Sequence, residues 1–473
     1  MRRKKYWKKR ELLNQNSKNN MKKTIVLFSI STLFTGCGIY SNYQPQTSVP
    51  DNLYGEEVDI SDTTNIGNIK WCDFFKDKYL LELIERGIKN NTDVRTAQLR
   101  VEEAKASLLS AKLSFLPSFA FAPQGSITHV ESQTSRTYTL PVTASWEIDL
   151  FGKLRNAKRQ AQAALIQSED YKQAVYSELV SNIANTYYTL LMLDEQLRIS
   201  KETAQSWEET VSSTQALMDA GLADESAVSQ MKATYFEVKN SVIDLEEQIN
   251  QTENTLALLL AETPHSFERG KLAEQNFSAE WSVGVPLQIL SNRPDVRMAE
   301  RSLEQAFYVT NQANAAFYPS ITLSGSAGWT NSLGEIISNP GKFLASAVGS
   351  LTEPLFNRGT LIAQRRIAKA QQEEALLAFN QSLLDAGVEV NDALVSYQVS
   401  KKKRENYESQ ISSLQNALRS VSLLMQNGNT TYLEVLTAKQ SLLSAELAQV
   451  ANSFKEIQSM INLYQALGGG QEL

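Results

Sequence analysis

Apolar residues recur along this chain at two spacings, and the spacing changes where the secondary structure must change. Leu179, Ile183, Thr186, Leu190, Leu193 and Leu197 step by alternating fours and threes, which puts them on one stripe of a helix. A second stripe runs through Val228, Met231, Tyr235, Val238, Val242, Leu245, Ile249, Thr252, Leu256 and Leu259. A third runs through Leu433, Leu436, Gln440, Leu443, Leu447, Val450, Phe454, Ile457, Ile461 and Tyr464. Heptads sustained over such lengths predict coiled-coil packing. Residues 153–219 contain neither proline nor glycine, enough for about 100 Å of unbroken helix. A second long segment runs from about Thr360 to Gln426, where Gly387 marks either a bend or a tolerated glycine. Ala220-Gly221 and Asn427-Gly428 interrupt the two long segments, and each break predicts an antiparallel helix hairpin.

Elsewhere the period falls to two. Tyr138, Leu140, Val142, Ala144 and Trp146 alternate with Thr137, Thr139, Pro141, Thr143 and Ser145. This predicts a strand over Thr137–Trp146 with one apolar and one mainly hydroxylated face. Further strands are expected over Ser118–His129, from Ser320 through Trp329, and over Phe343–Leu351, the last with weak alternation. Each run has about the length of a tilted membrane strand, but a half-buried soluble sheet gives the same alternation. Residues 73–115 read as helix with a break near Asn90-Asn91.

The pattern occurs twice. Phe115-Leu116-Pro117-Ser118 returns as Phe317-Tyr318-Pro319-Ser320, and Asp93-Val94-Arg95 with Ala97 returns as Asp295-Val296-Arg297 with Ala299, 202 residues later in both cases. Proline lacks an N–H and restricts the residue before it, so each copy marks a helix stop followed by an extended segment. The chain is a tandem repeat. Its expected organisation is an extension and signal at 1–36, an arm at 37–72, a first repeat at 73–262, a linker at 263–293 and a second repeat at 294–473.

The net charge of −6 and the absence of a domain-sized basic face speak against nucleic acid as a partner. Two cysteines and two histidines leave little material for zinc sites or a disulfide framework. His129 and His265 have no Cys or His at ligand spacing, and Gly468-Gly469-Gly470 lacks the strand and helix of a phosphate loop. No catalytic residues, metal ligands or cofactor are expected, and the chain does not read as an enzyme. Cys72 reads as a packed thiol.

The amino-terminal region changes the picture. Met21-Lys22-Lys23 precedes apolar Thr24 to Phe34, a secretory signal too short to span a bilayer, and Met21 is the expected start. Leu33-Phe34-Thr35-Gly36-Cys37 resembles a bacterial lipoprotein box, with Phe34 departing from the usual aliphatic residue. Cys37 is the expected lipidation site, and Gly38 after it points to the outer membrane. The alternative is a cleaved signal with an accidental cysteine. If the strands enter a membrane, four per chain cannot close a barrel, because open edges are not tolerated in lipid. Two chains give a filled barrel and three give room for a passage.

The element order, the paired Phe-x-Pro-Ser turns, Asp149-Leu150-Phe151-Gly152 against Pro354-Leu355-Phe356-Asn357, and Asn292-Arg293-Pro294-Asp295-Val296 resemble the TolC-like outer membrane efflux family over about Cys37–Gly470. The lipoprotein box is similar to that of its tripartite-efflux lipoprotein branch. The resemblance implies a mainly α fold: coiled-coil hairpins forming an α-barrel, continued by four strands per chain into a twelve-stranded trimeric β-barrel. It implies a homotrimer anchored by lipid in the outer membrane and reaching into the periplasm. Its implied partners are a periplasmic adaptor and an inner-membrane pump, and its function is a passive conduit for drugs or other toxic small molecules. A conduit for type I protein secretion has the same fold and remains the alternative.

In that family the tube closes at the hairpin ends. Glu434 occupies the first acidic gate position and Thr437 stands at the second. Three copies of Glu434 would form an acidic ring favouring cations; an ordinary exposed glutamate fits equally well. The family's aspartate and its basic partner fall on Ala227 and Thr430, so that tie is absent. Met425, Tyr432 and Leu433 suit either an apolar constriction or core packing. Gly221, Leu222, Gly428 and Asn429 mark the expected adaptor-docking tips, where the glycines are first of all turn residues.

Overall fold

The helix breaks fall where side chains or glycine supply what a helix end lacks. The computed structural model describes residues 42–45, 66–131, 133–275, 293–331, 342–427 and 430–470. The signal, Cys37, most of the arm, linker residues 276–292, Gly428 and Asn429 lie outside the described residues. Helices α1 (Trp71–Phe74), α2 (Lys78–Asn90) and α3 (Thr92–Leu113) come first. Asp77 caps α2 by accepting from the Tyr79 N–H, and Asn91 caps α3 by accepting from the N–H groups of Asp93 and Val94. The expected break near Asn90-Asn91 is therefore a cap. A further break at Phe75–Asp77 divides what the sequence presents as one segment.

Strands β1 (Ser118–Phe121), β2 (Gln124–Val130) and β3 (Gln133–Ile148) follow, then α4 (Lys153–Asp219) and α5 (Glu225–Leu259). The second repeat holds α6 (Pro294–Ala315), β4 (Ser320–Thr330), β5 (Lys342–Thr352), α7 (Thr360–Gln426) and α8 (Tyr432–Ala466). Matched helices have equal lengths: 22 residues in α3 and α6, 67 in α4 and α7, 35 in α5 and α8. Gly387 lies within the continuous α7. Among the described residues no helix is long and apolar enough to cross a membrane.

The chain divides into two units. The sheet unit holds residues 115–156 and 311–362. Its strands are antiparallel in the order β1-β3-β4-β5, with β2 also on β3. The expected first strand is thus two pieces on one edge of β3, separated at Ala122-Pro123. Proline cannot donate to the ladder, and one bond from Ala122 N–H to Pro141 O spans the gap at 3.2 Å. The other expected strands form, with β3 longer than expected at both ends. Their register gathers apolar side chains on one face, where Leu140, Trp329 and Phe343 share a row, as do Val142, Ala327 and Ala345, then Trp146, Leu323 and Gly349, although Leu344 and Val348 of β5 fall on the other face. The opposite face carries rows such as Thr143, Ser326 and Ser346, whose two serine hydroxyls meet at 2.8 Å. The apolar face is exposed in the single chain.

The helical unit contains the core. Leu80, Ile84, Phe75, Tyr187, Tyr188, Leu190, Leu191, Leu256 and Tyr464 are essentially solvent-free, each contributing on the order of 1.5–3 kcal/mol by burial. Around them run polar ties. Tyr187 donates to Asp77 Oδ2 at 2.7 Å and accepts from the Gly270 N–H at 3.0 Å. Burial, opposed by that N–H and reinforced by Asp77, pushes its phenol well above the ordinary tyrosine range. Arg269 bridges Asp194 and Glu253. Cys72 is half-buried against this core.

Candidate functional site

The ends of the two helix hairpins carry the residues singled out for a gate. At the first turn, Gly221 sits at φ +75°, a left-handed conformation that glycine adopts without strain. The Leu222 N–H returns to Leu217 O at 2.8 Å, closing the end of α4. Asp224 then caps α5 by accepting from the Ala227 N–H at 2.7 Å. Leu222 stands 76% exposed at this tip. Its counterparts Gly428 and Asn429 fall outside the described residues.

Behind the tips the hairpins are joined by one apolar cluster. Trp207 of α4 and Met231 and Val238 of α5 form its buried centre. Tyr432, Leu436 and Leu443 of α8 pack against it. The third sequence stripe is thereby corrected at its start. Tyr432 turns into the cluster, whereas Leu433 is 53% exposed and Gln440 is exposed. Leu436 and Leu443 keep the places the stripe gave them, while Tyr432 and Lys439 meet the Trp207 cluster where Leu433 and Gln440 were expected.

Lys439 ties the same joint. Its ammonium donates to Thr210 Oγ1 at 2.6 Å and Ser206 Oγ at 3.0 Å, with Ser206 O at 3.2 Å, and lies 5.0 Å from the centre of the Trp207 ring. All these partners are neutral. Burial holds the amine below the ordinary lysine range, while Glu209 acts the other way. A charge half out of water is thus held by oriented oxygens and an aromatic face. The stripe on α4 continues past Leu197 through Ser200, Ala204, Trp207, Val211 and Thr214, and Trp207 in that register was the signal for the joint.

Glu434 is exposed in the first turn of α8, where an acidic side chain complements the helix dipole. Thr437 is exposed and donates to Leu433 O at 2.8 Å. Met425 is half-buried. Ala227 is buried, and Thr430 Oγ1 is buried with no hydrogen-bond partner among the described residues, so this pair carries no charged tie. Among the described residues no group of three or more His, Cys, Asp or Glu side chains is placed to hold a metal.

The sequence profile of outer membrane efflux proteins matches residues 83–262 and 285–469. The cation efflux system protein CusC of Escherichia coli K12 is 28% identical, over 94% of this chain and 98% of its own length. A solved CusC structure aligns at TM-score 0.82 and 27% identity, over 92% of this chain and all of the other. The toluene efflux pump outer membrane protein TtgC of Pseudomonas putida is 26% identical, over 95% and 96%. The MtrE outer membrane channel of Neisseria gonorrhoeae aligns at TM-score 0.81 and 27% identity, over 91% and 98%. With two profile matches covering most of the chain and these folds over nearly all of it, the chain belongs to the outer membrane efflux protein family and is an outer-membrane channel protein.

Proposed function

We propose that three copies of this chain close a twelve-stranded barrel and form a passive conduit, lipid-anchored at Cys37, that exports small molecules. An inner-membrane pump and a periplasmic adaptor supply the energy and the cargo. The observation that carries this reading is the sheet. Its four strand positions present a continuous apolar face, and its outer edges on β1, β2 and β5 have no partner within the described chain. Unpaired backbone is costly in lipid, so edges must pair between copies. Three copies supply twelve strands and leave a lumen lined by the hydroxyl-rich face. The named relatives carry cations or toluene, which fits a conduit whose cargo is chosen by its pump.

Native mass spectrometry of the membrane-extracted protein tests the assembly: a trimer whose chains begin at Cys37 and carry lipid mass is expected. A lipid-free monomer that needs no detergent would sink the proposal. At the mouth, three Glu434 carboxylates form a cation-favouring ring. Glu434→Gln is expected to lower cation selectivity in planar bilayers severalfold with little loss of stability. Unchanged selectivity would remove Glu434 from the gate.

A further inference from the structure

The helical unit contains a recess of about 650 Å³, walled by α4, the start of α6, α7 and α8. Cavities of this size hold small molecules. At its base Arg293 is buried and fully engaged. Its guanidinium donates to Asp295 Oδ2 at 2.7 Å, Glu389 Oε2 at 2.6 Å and the Ala466 carbonyl at 3.0 Å. At the rim, Glu178 of α4 and Asp392 of α7 are exposed and make no hydrogen bond or ion pair among the described residues. Lys455 of α8 donates to Gln458 Oε1 at 3.1 Å. Four carboxylates against two cations leave the recess negative, and serine and amide side chains complete its polar lining.

The fold does not require these charges, because the first repeat builds the matching wall without them. Arg293, the residue before α6, corresponds to Asn91, the residue before α3. The equal lengths of α4 and α7 and of α5 and α8 carry Glu389 onto Asn182, Asp392 onto Asn185 and Lys455 onto Gln248. The backbone contact survives the exchange: Asn91 Nδ2 donates to the carbonyl of Leu259, the image of Ala466, at 2.9 Å. An amide therefore does the structural task of the guanidinium. Only the second repeat places ions at all four positions.

The recess opens away from the arm. Trp71 Nε1 donates to the Tyr176 hydroxyl at 3.2 Å, and the Tyr464 hydroxyl donates to Ile69 O at 2.7 Å. Phe74 stacks on Tyr464 with ring centres 4.1 Å apart. Glu178 lies two residues after Tyr176, and Asn462, also in the lining, lies two before Tyr464. Two residues turn a helix by about 200°, so both side chains leave the face opposite the arm. An arm that leads back to a lipid anchor runs along the outside of a tube, and the opposite face is the lumen.

We infer that this recess is a lumenal binding site for hydrophilic organic cations, with ammonium groups held by Glu178 and Asp392 and hydroxyl groups by the serine and amide lining. The inference rests on the conduit proposed above and names a class of cargo that its wall retains. No three carboxylates, imidazoles or thiols among the described residues are placed for a metal ion, and the volume suits a polyatomic cation.

The test uses the full-length protein in detergent, with kanamycin, a hydroxylated polyamine, as the probe. A Glu434→Gln background removes the acidic mouth as a second cation site. In calorimetric titration, adding Glu178→Gln and Asp392→Asn is expected to weaken binding about tenfold or more, the loss of two charge-assisted hydrogen bonds. Asp385→Asn, at the image of Glu178 and outside the recess, is expected to leave the affinity unchanged. Undiminished affinity in the triple variant, or no binding by its parent, would overturn the site. Salt gives a readout that leaves the recess intact: affinity should fall severalfold at high ionic strength, and salt-independent binding counts against the carboxylates. Planar bilayers test the placement. Kanamycin is expected to interrupt the current of the parent and not of the triple variant. Pair-dependent binding without interruption would overturn the lumenal assignment. A protein that forms no channel would overturn the conduit, while the titration still decides the recess.

Discussion

Replacing Trp207 by alanine is expected to free the ends of both helix hairpins while the core around Tyr187 and Tyr188 stays folded. Trp207 is fully buried and meets α5 through Met231 and Val238, and α8 through Tyr432, Leu436 and Leu443. Its removal opens a cavity that helices of this length cannot easily collapse around, at a cost of about 3–5 kcal/mol. It also strips the aromatic face from Lys439 and leaves a half-buried ammonium with hydroxyl and carbonyl partners alone. Hydrogen exchange is the direct measurement. Protection should fall across residues 200–240 and 432–443 and persist in α2 and the middle of α4. Uniform protection throughout would mean that the joint does not hold the hairpins together. Trp207→Phe, which keeps most of the volume, is expected to retain most of the protection.

The second large effect is expected in the sheet. Gly328 faces Pro141 across the β3–β4 pairing. A Cβ built at Gly328 would lie 2.1 Å from the Leu140 carbonyl oxygen and 2.6 Å from Pro141 Cα. Both obstacles are backbone, so neither moves without breaking the ladder. Gly328→Val should therefore disrupt the one strand pairing that joins the repeats, costing about 3 kcal/mol or more. The expected result is loss of the folded band in heat-modifiability gels and of the trimer in native mass spectrometry. Gly349→Ala is the control, because its Cβ would meet only the flexible Leu323 side chain at 3.4 Å. If Gly328→Val assembles with a wild-type midpoint, the register between β3 and β4 is not as described.

The two sites have different characters. Gly328 is a steric requirement set by one opposing proline. Trp207 and Lys439 form a joint in which apolar burial supplies the strength and the ammonium selects the pairing of α8 with α4. The chain lacks a charged tie between Ala227 and Thr430, and this joint links the two hairpins behind their tips.

Much of the fold was legible in the sequence because its signals are local. Heptad steps report one helix face, absence of proline and glycine reports length, and Gly221 reports a reversal. These fixed α4, α5, α7 and α8 almost to the residue. The repeat was also legible, since matching turns at one offset need no knowledge of packing. The candidate gate was less so. Glu434 and Thr437 were placed on the first turns of α8, but nothing in their spacing distinguished a ring from a solvated face.

What only the tertiary structure decided depends on partners far apart in the chain. Tyr432 rather than Leu433 packs on the cluster of Trp207 and Met231, partners from another hairpin that no local spacing reveals. The first strand splits at Pro123 because a proline on an edge forfeits a ladder bond, while the backbone of Pro141 opposite still holds Ala122. Lys439 is half-buried because Ser206, Trp207 and Thr210 face it from another hairpin. The sequence by itself determined how often each element occurs and how long it is, since backbone propensity and side-chain period act over a few residues. Which distant residues meet was decided by the fold: Lys439 and Thr210 touch across 229 residues of chain, a separation that no local period spans.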